Sequence, residues 1–151
     1  MIKLGEKMVI QSNKKMSLLC ILQILREYSD ENHPLTQAQI LKKIEQNYGL
    51  ELERKSISTN IDSLIDFGFD IIKMDKGCYL GQREFEPSEV SFLIDAVFSS
   101  RSIDSKRSRE LAEKISKFLS VNERKKYKYI CKSDEIIRKE KIETFAFHFF
   151  I

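Results

Sequence analysis

The chain has 151 residues, 42% hydrophobic and 32% charged, with five Gly, two Pro, no Trp and a net charge of +3. That length suits one domain or two small ones around a real core, and the composition excludes collagen-like, low-complexity and acidic disordered classes. No run reaches the roughly 18 apolar residues of a membrane span, the opening MIKLGEKMVI reads as no signal peptide, and a charge this mild does not by itself signal nucleic acid.

The charge is unevenly spread. Residues 1–86 hold 12 Lys/Arg against 13 Asp/Glu, a net of −1, and residues 87–151 hold 14 against 10, a net of +4. Cys20, Cys78 and Cys131 stand 58 and 53 residues apart. Such spacing fits neither a disulfide framework nor a metal knuckle, and a reduced, cytosolic setting is expected. His33 and His148 neighbour no cysteine, so neither a metal nor a cofactor is expected.

Residues 14–28 form the first predicted helix. Met16, Leu18, Leu19, Leu22, Ile24 and Leu25 recur at three- and four-residue steps and give a broad apolar face. Pro34 biases His33 away from helical angles and closes this stretch. The second helix begins at a capping box, Thr36-Gln37-Ala38-Gln39, with Leu35 and Ile40 at the positions of the hydrophobic staple. Ile40, Leu41, Ile44 and Tyr48 carry its stripe, and Gly49 stops it.

The third helix spans 54–67, with Ile57, Ile61, Leu64 and Ile65 inward. At 100° per residue, Lys55 and Thr59 then project outward with Ser56 and Ser63 beside them, and Asp62 and Asp66 lie nearer the C-terminal end. Its start has no good cap, since Glu53 holds that position. Gly68 ends it. A strand over 69–73, a turn over 74–77 and a returning strand over 78–80 predict a hairpin, with Gly77 supplying positive φ.

Two more helices are expected over 87–100 and 105–119. Val90, Phe92, Leu93, Ile94, Ala96, Val97 and Phe98 make the first apolar nearly all round, so it is expected to be buried or shared with a partner. The second is amphipathic, with Leu111, Ala112, Ile115, Phe118 and Leu119 inward. Further on, 124–131 reads as a strand, 134–142 as a short polar helix, and 144–151 as an apolar tail.

The expected fold is therefore mainly α with a small β-hairpin: a winged helix-turn-helix over 1–83, a helical linker or dimerisation region over 84–121, and a tail or the start of another domain over 122–151. In a winged helix the third helix enters the major groove and the hairpin touches the backbone or the minor groove. Arg54 and Lys55 can reach phosphates or guanine, and Ser56 and Thr59 can bond phosphates or base edges. Asn60 can pair with adenine or bond locally. The N-terminus of this third helix itself favours phosphate; Thr36 and Gln37, at the start of the second helix, are further DNA-binding candidates, and Lys73 and Lys76 are the wing's candidate phosphate contacts. The expected partner is double-stranded DNA. A protein-interaction module, or a remnant that no longer binds DNA, is the alternative. No phosphate loop, HExxH, GxSxG or paired His/Cys constellation is present, and no enzymatic activity is expected.

Leu35-Thr36-Gln37-Ala38-Gln39-Ile40, the run from Glu53 to Leu64, Gly68-Phe69-Asp70-Ile71 and Gly77-Cys78-Tyr79-Leu80 together resemble the N-terminal region of WYL-domain transcriptional regulators. Members of that family open with a winged helix of the helix-turn-helix type 11 class. Arg54, Lys55 and Ser56 match the two basic residues and Ser or Thr that open its third helix. Where the family carries a second basic pair, this chain has Ser58 and Thr59. The segment Phe85-Glu86-Pro87-Ser88-Glu89-Val90 resembles the family's linker, and the likeness covers about residues 14–120. It implies a homodimeric transcriptional regulator whose effector domain would lie beyond this chain, so the sequence reads as a fragment or a truncated gene product and leaves the effector unspecified.

Overall fold

A computed structural model describes residues 16–125. Its elements are α1 (Met16–Tyr28), α2 (Gln37–Tyr48), α3 (Arg54–Phe67), β1 (Ile71–Met74), β2 (Gly77–Leu80), α4 (Pro87–Ser99) and α5 (Ser105–Ser116). The protein is mainly helical with one antiparallel hairpin, as the sequence predicts. The expectations for 1–15 and for 126–151 lie outside the described residues. Among the described residues no helix is long and apolar enough to cross a membrane.

The first three helices enclose one core. Ile21, Ile24 and Leu25 of α1, Ile40 and Ile44 of α2, and Ile57, Ile61 and Leu64 of α3 are all buried, with Leu80 of β2 beneath them. Each such side chain contributes about 1.5–3 kcal/mol by leaving water. The capping box forms as expected: Thr36 Oγ1 accepts from the Gln39 amide at 3.3 Å, and Gln39 Oε1 accepts from the Thr36 amide at 2.8 Å. Leu35 and Ile40, the staple pair, are both buried. Glu53 caps α3 with its backbone alone, and Gly68 ends it at φ 114°.

The wing pairs Ile71 with Leu80 and Met74 with Gly77. β1 begins two residues later than predicted, because the Phe69 amide donates to the Leu64 carbonyl and closes α3 instead of joining the ladder. The segment before α2 adds a strand-like contact that the sequence did not announce. Leu35 and Cys78 exchange both backbone bonds, at 2.8 and 2.9 Å. Gly77 makes this possible: its φ is 141°, and a Cβ there would sit 2.5 Å from the Leu35 carbonyl oxygen.

α4 and α5 pack through a second, smaller cluster of Val90, Ile94, Ala112 and Leu119, flanked by Phe85, Phe98 and Ile115. The alternatives expected for α4 separate here, and the inward set of α5 needs correcting. Within one chain α4 is not buried on nearly all sides: Phe92 is 75% exposed, and Leu93 and Ala96 also face outward, which leaves the partner-shared alternative open. Leu111 and Phe118, expected inward, are each 38% exposed, although Phe118 meets Phe85 edge to face at 5.1 Å. α5 also stops at Ser116, because the amides of Lys117, Phe118 and Leu119 bond three residues back and tighten the last turn. Arg124 and Lys125, the first two residues of the strand expected over 124–131, lie in a helical turn over 121–125, and the rest of that strand lies outside the described residues. Ser120 and Glu123 cap it reciprocally, with bonds of 3.1 and 2.8 Å.

One joint ties the two clusters together. Arg83, in the linker after β2, donates to the carbonyls of Arg26, Ser29 and Phe118. Ser29 Oγ donates to Leu25 O and accepts from the Leu80 amide, so the end of α1 also fixes the wing.

Candidate nucleic-acid interface

The N-terminus of α2, the first turns of α3 and the wing turn converge on a groove of about 430 Å³. Thr36, Gln37, Arg54, Lys73 and Lys76 all line it, so five of the nine sequence-predicted residues meet in one place. Ala38, Ser58 and Met74 line it too and were not anticipated. Ser58 had a legible signal, since it lies one helical turn after Arg54 on the same edge of α3. Met74, 51% exposed, could be placed only once the hairpin was folded.

The other four predicted residues lie elsewhere on α3. Lys55 and Thr59 are exposed along its outward line, away from Ile57, Ile61 and Leu64. Ser56 and Asn60 are half-buried on the flank. The Asn60 amide donates to Ser17 Oγ of α1 at 3.0 Å, so of the two roles open to it, it takes the local one. Thr59 Oγ1 donates to the Lys55 carbonyl at 3.0 Å, and Ser63 Oγ to the Thr59 carbonyl at 2.9 Å.

The electrostatics are mixed. Arg54, Lys55, Lys73 and Lys76 supply four cations, while Glu51, Glu53, Asp62, Asp66 and Asp75 are exposed on α3, its approach and the wing turn. Lys73 is held in an ion pair with Asp62, which ties the wing to α3. Both partners are half exposed, so the pair is weak. Cys78 lies at the back of the groove, and burial pushes its thiol pKa up, only partly offset by the Lys73 charge. It therefore stays protonated and is a poor nucleophile. Among the described residues, no group of three His, Cys, Asp or Glu could hold a metal ion.

No family model, curated protein or solved structure matches this chain significantly.

Proposed function

We propose that this chain is a sequence-specific double-stranded DNA-binding module of a transcriptional regulator, acting as a homodimer in a reducing, cytosolic setting. The observation that carries the reading is the groove itself. A capped helix N-terminus, the basic start of α3 and a lysine-bearing wing converge there. In this reading α3 lies in the major groove with Arg54 and Lys55 leading, and Lys73 and Lys76 rest on the backbone. The resemblance to WYL-domain regulators supports the same assignment.

A second reading, a winged helix that docks on protein, is favoured by the five carboxylates beside those four cations and by the exposed Met74. Salt dependence separates the two. Each phosphate contact contributes a log–log slope of about −0.9, so the four cations of one copy predict a slope of about −3.6 at most per bound copy. Binding of a duplex selected from random sequence, followed by fluorescence anisotropy from low to moderate salt, should give a slope between about −2 and −3.6 per bound copy. No duplex binding, or a flat salt response, would overturn the DNA reading and favour protein docking.

A further inference from the structure

We infer that Thr59 reads a thymine through its methyl group, which makes it a specificity-determining residue of the DNA interface. The inference rests on the DNA reading above and deepens it.

Thr59 sits at the centre of the outward line of α3, four residues after Lys55 and four before Ser63. A threonine side chain offers two groups, a hydroxyl and a methyl. Here the hydroxyl's one proton is committed to the helix, donating to the Lys55 carbonyl at 3.0 Å. Such a back-bond fixes the side-chain rotamer of a β-branched residue. Ser63, the next hydroxyl along the same line, is likewise turned back onto the Thr59 carbonyl at 2.9 Å. The centre of this face therefore offers a methyl beside a hydroxyl that has no proton left to donate. Its cationic and polar neighbours, Arg54, Lys55 and Ser58, remain to supply hydrogen bonds.

In the major groove a methyl has one natural counterpart, the C5-methyl of thymine, which distinguishes T·A from the other pairs by apolar contact. Asn60, the residue best suited to adenine, is turned toward Ser17. With Asn60 so turned, the thymine methyl is the feature of an A·T pair that the Thr59 methyl is suited to meet.

The test replaces each thymine of the selected duplex, one at a time on both strands, with deoxyuridine, which removes only the methyl. One position in each half-site should lose about fourfold in affinity, the worth of a single buried methyl-sized group. Thr59→Val, which keeps the methyl and loses the hydroxyl, should retain that loss. Thr59→Ser, which keeps the hydroxyl and loses the methyl, should bind the thymine and deoxyuridine duplexes equally. Thr59 is exposed, so both variants should keep the wild-type circular dichroism spectrum. Equal binding of thymine and deoxyuridine duplexes by the wild type, or discrimination surviving in Thr59→Ser, would overturn the inference and leave the DNA reading standing. Failure of the wild type to bind any duplex would overturn both.

Discussion

The Ser120 hydroxyl donates to Asp30 Oδ2 at 2.7 Å, joining residues ninety positions apart. Asp30 is only 6% exposed, and a buried carboxylate is costly without partners. Its partners come from both sides of the joint: His33 Nδ1 at 2.7 Å and the Asn32 amide at 3.1 Å from the α1–α2 loop, Ser120 and Asn122 from beyond α5. Together with Arg83, this one carboxylate couples the winged helix to the helical lobe.

Asp30→Ala should therefore destabilise by about 2–3 kcal/mol, because it removes a charged acceptor and strands the Ser120 hydroxyl. The pH dependence has a definite sign. Burial raises the carboxyl pKa, but the bonds from Ser120, His33 and Asn122 and the His33 charge outweigh it and hold the value below its ordinary 3.8. The unfolded chain thus takes up this proton before the folded one does. The stabilisation is complete above that ordinary value and is lost as pH falls toward the folded value. Urea unfolding of wild type and Asp30→Asn should show a stability gap at about pH 7 that narrows by about pH 3. A gap independent of pH would show that the carboxylate gains nothing from its partners.

Thr36→Ala should cost about 1 kcal/mol, since the Gln39 amide loses its cap. Thr36 also lines the groove, so the same variant measures its second role. Binding loss larger than the stability loss would place Thr36 on a phosphate. An unchanged melting temperature would contradict the capping geometry.

The local signals in this chain were legible because a few adjacent residues carry them. The capping box needs only Thr36 and Gln39, and the ends of α3 and of the wing turn need only Gly68 and Gly77. The outward line of α3 followed from the helical period alone. What stayed hidden depends on distant contacts. Leu35 meets Cys78 across 43 residues, through a ladder too short to show alternation. Asn60 reaches Ser17 only because α3 crosses α1, and Lys73 meets Asp62 only because the wing folds back on α3. α4 gave no orientation, since a sequence apolar all round has no contrast at the helical period. The Ser120–Glu123 box was readable as S-x-x-E but was masked by the weak alternation of the residues that follow.

Asp62→Asn should strengthen DNA binding. On the DNA reading, the substitution removes a carboxylate from the outward side of α3 and spares Lys73 the breaking of its ion pair when it meets a phosphate. Stability should change by less than about 1 kcal/mol, the usual worth of an exposed pair. Affinity should rise roughly three- to tenfold at low salt, and the gain should shrink as added salt screens the removed charge. A fall in affinity would instead assign Asp62 to a base edge, where a carboxylate accepts from cytosine.

The chain should form a homodimer through the helical lobe. A single winged helix buries only about 600–1,000 Å² on DNA, and two-fold pairing commonly supplies the missing affinity. α4 carries an outward apolar face of Phe92, Leu93 and Ala96, bordered by Glu89 and Asp95. α5 is rich in exposed cations, with Lys106, Arg107, Arg109 and Lys114 against Glu110 and Glu113, and it exposes Leu111. A two-fold arrangement that lays α4 of one copy on α5 of the other would cover the apolar face and oppose the charges. Light scattering at tens of micromolar should give twice the 17.8 kDa chain mass. Phe92→Glu is the decisive variant: the side chain is 75% exposed in one chain, so its replacement should break the dimer while the circular dichroism spectrum stays native. Phe98, packed in the α4–α5 cluster, cannot make that distinction, because changing it would loosen the monomer itself. A wild-type mass of one chain with a folded spectrum would rule the dimer out, and a dimer that survives Phe92→Glu would move the interface away from α4.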